Sequence, residues 1–264
     1  MASPAKLPLW RSVGEAYALW GRNFAEILRL SWPWMAVIAL PLAIIVWLQG
    51  STVTGAMEAA RAGRPVLEEH PLADMILQLV GQLIALPALA SVAVAWHRLV
   101  LRGEHAGPEL YLRRDGVVIG YAILLFWIGL ITMAPNYAGR LLQAVTGPVR
   151  ALQTLTGLVA LIALFIVARL SLALPALAVG RTEISFGAAW AATKGNSWRL
   201  FWGYLFCILP WVVVVVAVEF LFLTGDRVLA TLVLLAIGLV WIPVGMISVG
   251  FLSLAYRHFF EARA

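Results

Sequence analysis

The sequence predicts an all-α polytopic membrane helical bundle with six transmembrane helices and two interfacial amphipathic helices. Three observations carry the prediction. Hydrophobic residues make up 62% of the chain and charged residues 12%, about half the charge of a typical soluble domain. Apolar runs approach the ~20 residues that a helix needs to cross a ~30 Å hydrocarbon core. Runs such as VVVVVAV at 212–218 do not alternate, which excludes a β-barrel.

The spans read at 31–49, 74–97, 116–134, 152–178, 200–222 and 228–256, in one integral membrane domain over 1–264. Connections are short. The longest, 50–73, carries Glu58, Arg61, Arg64, Glu68, Glu69 and His70 and is broken by Gly63 and Pro65, so a soluble domain has no room. The first long apolar stretch follows a charged helical segment and lacks a small-residue cleavage pattern, so no cleavable signal is expected.

Lys and Arg are divided unequally between the two sides. Lys6, Arg11, Arg22, Arg29, Arg98, Arg102, Arg113, Arg114, Arg181, Lys194, Arg199, Arg257 and Arg263 collect on one; Arg61, Arg64, Arg140, Arg150 and Arg227 fall on the other. The positive-inside rule then places both termini in the cytoplasm. Trp32, Trp34 and Trp47 bracket the first span, Trp96 and Tyr256 end the second and sixth, and Trp198 and Trp202 open the fifth, as headgroup-level rings do. Trp127, Trp211 and Trp241 lie deeper and read as packing residues.

Ahead of the first span, Arg11, Glu15, Arg22, Glu26 and Arg29 share one helical face of 9–30. Trp10, Val13, Tyr17, Trp20, Phe24, Ile27 and Leu28 fill the other, the pattern of an interfacial helix. Ser12 and Glu15 have capping-box spacing. Residues 12–23, SVGEAYALWGRN, return at 185–196 as SFGAAWAATKGN. Ser12/Ser185, Gly14/Gly187, Ala16/Ala189, Ala18/Ala191 and Asn23/Asn196 are identical, and Gly14/Gly187 and Ala18/Ala191 suit close packing on the bundle. The second copy has Ala188 where the first has its capping glutamate, so the first reads as the better capped. The sequences AWHR at 95–98 and AYRH at 255–258 extend the likeness. A parallel internal repeat with halves 9–102 and 182–260 follows, its axis along the membrane normal, around an inserted hairpin at 116–178. The competing account is coincidence in an Ala-rich chain.

Ionisable and amide groups within spans are the candidate sites. Arg169 reads either as a snorkelling residue bonding carbonyls freed at Pro175, the preferred account, or as an anion contact. Glu219 lies near the outer end of the fifth span. Asp74, Gln78 and Gln82 recur every fourth residue. They serve interhelical packing or, with Glu219 and Asn136, line a small outward-facing polar cavity. Arg11, Arg22 and Arg29 are candidate anionic-headgroup contacts. His97 and His258 lack the carboxylate or thiol company of a metal site. Cys207, the single cysteine, sits in an apolar run as a small core residue. Gly116 and Gly120 form a GxxxG helix-packing signal.

No nucleophile elbow, HExxH, Walker loop or GxGxxG occurs, so no catalytic group, metal or cofactor is expected. The net charge of +6 points to anionic lipid rather than nucleic acid, because the basic residues flank apolar spans.

The stretch 167–205 carries Arg169 six residues before Pro175, a Ser185-x-x-x-Ala189 helix, and a Trp198-Arg199 entry to the next span. It resembles bacterial multi-pass proteins of the glycerophosphoryl diester phosphodiesterase membrane-domain group and related inner-membrane families, and 9–34 has a similar look. The resemblance implies a multi-pass inner-membrane location and an anchoring or helper role. The hydrolase motifs of such proteins are absent here, so it carries no phosphodiesterase activity over. The expectation is a non-catalytic scaffold, anchor or partner for envelope proteins or lipids. The alternative is a small transporter or permease-like subunit using the polar stripe.

Overall fold

The computed structural model describes residues 6–38, 44, 71–105, 116–147, 149–181, 183–224 and 227–261, which are helical almost throughout, with no strand among them. Helix α1 spans Leu9–Arg22, and α2 covers 24–38. They are followed by α3 (Pro71–Arg102), α4 (Gly116–Thr146), α5 (Arg150–Leu170), α6 (Ala173–Ala178), α7 (Phe186–Ala192), α8 (Ser197–Thr224) and α9 (Arg227–Tyr256). A π-helical turn at Arg257–Glu261 ends the described chain. Five described helical segments are long and apolar enough to cross a membrane: Met75–Arg102, Gly116–Thr146, Arg150–Ala178, Ser197–Val214 and Val240–Glu261. Of the expected span 31–49, residues 31–38 are helical and most of the remainder lies outside the described residues.

Several boundaries move for identifiable reasons. The helix expected to stop at 134 continues to Thr146, where Gly147 at φ 77° ends it. Its polar last turns, including Asn136 and Arg140, looked like a loop to hydropathy but remain helical. The segment 9–30 is two helices, because Asn23 interrupts it. The Asn23 amide and side-chain amide both donate to the Leu19 carbonyl, at 3.1 and 2.8 Å, closing α1. The Asn23 carbonyl accepts from Ile27 at 3.0 Å and so opens α2. Asn196 opens α8 in the same way, its carbonyl accepting from Leu200 at 3.0 Å.

The capping box does not form. α1 starts at Leu9 behind Pro8, without a side-chain cap, and Ser12 is an interior position whose amide donates to the Pro8 carbonyl at 2.9 Å. Glu15 pairs with Arg257 at 3.1 Å instead. Tertiary bonds set the start of this helix: the Leu7 amide donates to Asn196 Oδ1 at 2.8 Å, and Arg199 donates to the Leu7 carbonyl at 2.7 Å. In the second copy Ser185 is a true N-cap, accepting from the Ala188 amide at 3.3 Å. The better-capped copy is therefore the second.

Two apolar clusters form the core. One joins Ile27 and Leu30 of α2 to Ala88–Trp96 of α3, Tyr121 and Ile128 of α4, and Ile242 and Met246 of α9. The other joins Val13 and Ala16 of α1 to Leu172, Leu200, Cys207, Phe251 and Tyr256. The small residues that meet the bundle are Ala16 and Ala189, both fully buried. Gly14, Ala18, Gly187 and Ala191 are exposed, so those two identical pairs do not serve packing. Trp96 and Tyr256 are also fully buried and pack inside the bundle. Trp127 is 52% exposed, which places it on the outside of the bundle. Close helix approach occurs at Gly139 against Thr156 and Gly203 against Phe251, while Gly116 and Gly120 face no comparably tight neighbour.

α1 is wedged into the groove between α8 and α9. Tyr17 donates to the Phe206 carbonyl at 2.8 Å, and Trp20 Nε1 to the Pro243 carbonyl at 2.8 Å. At 1.5 Å per residue these acceptors lie about 13 and 20 Å from the nearer helix ends. The first bond has a backbone cause. Pro210 lies inside α8 and has no N–H to give the carbonyl four residues earlier, which is Phe206. Tyr17→Phe is therefore expected to cost about 1–2 kcal/mol, measured as thermal stability in detergent. The cost should shrink in a Pro210→Ala background, where the helix satisfies the carbonyl itself.

Candidate functional site

At the α1/α7 end the arginines terminate chain segments. α6 ends at Ala178, and each carbonyl of its last turn has a partner. Val179 N–H donates to Pro175, Arg181 N–H to Ala176 at 2.9 Å and Gly180 N–H to Leu177 at 2.9 Å. Gly180 sits at φ 79°, the left-handed conformation such a cap requires. Arg98 Nε donates to the Ala178 carbonyl at 2.9 Å, and Arg102 donates to that of Val179. Two side chains of α3 thus complete the cap.

Arg169 performs the same service for α7. It is 8% exposed. Its Nε donates to Thr193 Oγ1 at 2.8 Å, a second nitrogen donates to the Trp190 carbonyl, and the guanidinium lies 3.4 Å from the Trp190 ring centroid. The carbonyls near Pro175 are not its partners; the Ser171 carbonyl that Pro175 leaves open accepts from Leu174 N–H at 3.0 Å. Arg169 thus bonds α7 and its C-cap Thr193 rather than carbonyls of its own helix.

The other candidates divide. Arg11 and Arg22 are exposed on α1, and Arg11 lines a groove of about 480 Å³ with Pro8, Leu9, Trp10 and Arg199. Arg29 donates to both Glu26 carboxylate oxygens, at 2.8 and 2.5 Å, and that bonding holds the Glu26 carboxyl below its ordinary value. His97 is fully buried, with Nδ1 2.7 Å from Ser253 Oγ and Nε2 3.1 Å from the Tyr121 hydroxyl. These bonds join α3, α4 and α9. Both ring nitrogens are engaged, so the histidine acts as an interhelical tie.

At the other end a pocket of about 450 Å³ opens between α3, α4 and α5, lined by Gln78, Asn136, Tyr137, Arg140, Gln143 and Gln153 among others. Arg140 Nη1 donates to Gln78 Oε1 at 3.4 Å. The Tyr137 hydroxyl is buried with no partner among the described residues. Gln78 and Asn136, joined in the cavity alternative rather than in the packing account, both line this pocket. Gln82 is half-buried and is not part of the lining. The side chains of Asp74 and Glu219 lie outside the described residues. Sequence reading missed Arg140 and Gln143 because they fall beyond the assumed end of the third span. Their signal was present: Asn136, Arg140 and Gln143 stand at i, i+4 and i+7 on one helical face.

No family model, curated protein or solved structure matches the chain.

Proposed function

We propose that this chain is a non-catalytic multi-pass protein of a bacterial inner membrane, a scaffold or anchor for envelope proteins or lipids. Its basic end, with both termini, faces the cytoplasmic leaflet. The observation that carries the reading is the use made of the arginines at that end. Arg98, Arg102, Arg169 and Arg199 all bond backbone carbonyls of other segments. Such bonds lock α1, α6 and α7 onto an apolar bundle, and a rigid presented surface is what a scaffold needs. A path for a polar substrate would instead leave polar groups open along the core.

The presented surface is cationic and aromatic. Trp10 is 69% exposed, beside exposed Arg11, with exposed Arg22 further along α1. This chemistry suits anionic headgroups, at about 1 kcal/mol per basic residue. The double variant Arg11→Gln/Arg22→Gln is expected to lose roughly tenfold or more of its preference for anionic over zwitterionic lipid, read by lipid competition in nanodiscs at low salt. An unchanged preference would remove the leaflet contact from the reading.

A second reading, a small transporter or permease-like subunit, is favoured by the Gln78–Arg140 pocket alone. Solute uptake into proteoliposomes that Gln78→Leu abolishes would move the assignment there.

A further inference from the structure

The first turns of α1 and α8 form a groove of about 480 Å³, lined by Pro8, Leu9, Trp10, Arg11 and Arg199. Three of these residues are apolar, two are arginines, and none is acidic. We propose, on the reading that this end of the bundle faces the cytoplasmic leaflet, that the groove holds one anionic phospholipid. Its phosphate lies between Arg11 and Arg199, and its acyl chains run along α8.

Both arginines keep capacity for an anion. Arg199 is half-buried, and its Nη1 donates to the Leu7 carbonyl at 2.7 Å, which fixes the guanidinium. Its Nε and Nη2 make no bond among the described residues. That edge carries a parallel pair of N–H donors, the geometry that meets two phosphate oxygens at once. Arg11 is exposed and has no hydrogen bond or ion pair among the described residues. Glu15, one turn further along α1, is engaged by Arg257 at 3.1 Å instead. The groove thus gathers two positive charges that no described carboxylate neutralises, and a negatively charged headgroup is their complement.

The surface that leads out of the groove separates a lipid from a soluble anion. Arg199, Trp202, Phe206, Leu209 and Val213 stand at i, i+3, i+7, i+10 and i+14 and so share one face of α8. Beyond Arg199 that face is apolar, and Trp202, Leu209 and Val213 are 43, 46 and 60% exposed. Trp10 joins the groove to it. Its ring lies 5.0 Å from that of Phe206, which in turn stacks on Trp202 at 5.9 Å. Ser197–Val214 is among the segments long and apolar enough to cross a membrane. Its opening turn, with Trp198 65% exposed, has the aromatic character of the headgroup level. A phosphate held at Arg199 therefore sets its acyl chains beside the apolar stripe, which a chainless phosphate would leave uncovered.

The test uses the full chain in phosphatidylcholine nanodiscs doped with phosphatidylglycerol, and native mass spectrometry reads the lipid that stays with the protein. One phosphatidylglycerol per chain should be retained in preference to phosphatidylcholine, and excess glycerol phosphate should not displace it. Arg11→Gln and Arg199→Lys should each weaken retention about tenfold. Arg199→Lys keeps a donor for the Leu7 carbonyl and loses the fork. Should it fail to fold, Arg11→Gln, at an exposed position without a described partner, carries the expectation alone. Arg22→Gln, outside the groove, should leave retention unchanged. Equal retention of phosphatidylcholine, displacement by glycerol phosphate, or retention that Arg11→Gln leaves intact overturns the proposal. The leaflet contact fails separately. A chain whose overall preference for anionic lipid falls in Arg11→Gln/Arg22→Gln, but which retains no single lipid, overturns this site and leaves that contact standing.

Discussion

Gly203→Ala is expected to destabilise the bundle by about 1–3 kcal/mol, and bulkier residues by more. A Cβ on Gly203 would fall within the Phe251 ring, overlapping its tip. An aromatic side chain at a surface could swing aside. Phe251 is fully buried among Leu200, Cys207, Tyr256 and Ala16, so it moves only by displacing them. The methyl therefore separates α8 from α9 and also disturbs α1, which is wedged between them. Thermal unfolding in detergent of Gly203→Ala, Phe251→Leu and the double variant measures this. The double variant should recover at least about 0.5 kcal/mol relative to the sum of the single changes. Strict additivity would show that the contact does not set the helix spacing.

Arg169→Gln should have a comparable effect through another route. Removing the guanidinium takes the charged donor from Thr193 Oγ1 and from the Trp190 carbonyl, which keeps only the Thr193 hydroxyl at 3.0 Å, and ends the stacking over the Trp190 ring. Charged hydrogen bonds are worth about 1.5–3 kcal/mol each, and a cation over an indole about 0.5–2. A net loss of roughly 2–4 kcal/mol follows once solvent reaches the exposed acceptors. The loss should be local at first, with 183–196 becoming protease-sensitive below the temperature at which the bundle melts. Arg169→Lys keeps the charge but loses the planar stack and the second bond, so it should fall between the two. Equal protection of 183–196 in Arg169→Gln and the parent chain would show that α7 is held by its apolar contacts alone.

Arg169 shows how far sequence reading reached. The expectation was a snorkelling side chain bonding carbonyls near Pro175, or an anion contact; the side chain is instead buried against Trp190 and Thr193. Those partners were not legible, because Trp190 and Thr193 are brought to it by the turn at 171–172 and the return through α7. Ser12 and Ser185 make the same point. Both have the local look of a cap, and only Ser185 caps, because Leu7 is held by Asn196 and Arg199 and α1 begins one turn early. The likeness of 12–23 to 185–196 survives at Ala16/Ala189 and at the Asn23/Asn196 joints, and lapses at Gly14/Gly187 and Ala18/Ala191. Helical spacing assigns residues to a face, and it cannot say which face meets the bundle when both carry small residues.

The polar pocket was half legible. The stripe at Gln78 was read, but Asn136, Arg140 and Gln143 looked like the chain leaving the membrane. A hydropathy window sums composition and places a boundary where polarity rises. The helix itself stops only where a glycine adopts the left-handed conformation, at Gly147.

By itself the sequence determined helical secondary structure and helices long and apolar enough for a membrane. Both are sums over neighbouring residues: apolar content over about 20 positions, and backbone groups that must bond within their own segment. The tertiary structure alone decided the contacts between residues far apart in the chain. Tyr17 meets the carbonyl opened by Pro210, Arg98 and Arg102 close α6, and Arg140 faces Gln78. Each depends on how helices distant in sequence pack side by side, and periodicity along one helix carries no information about its neighbour.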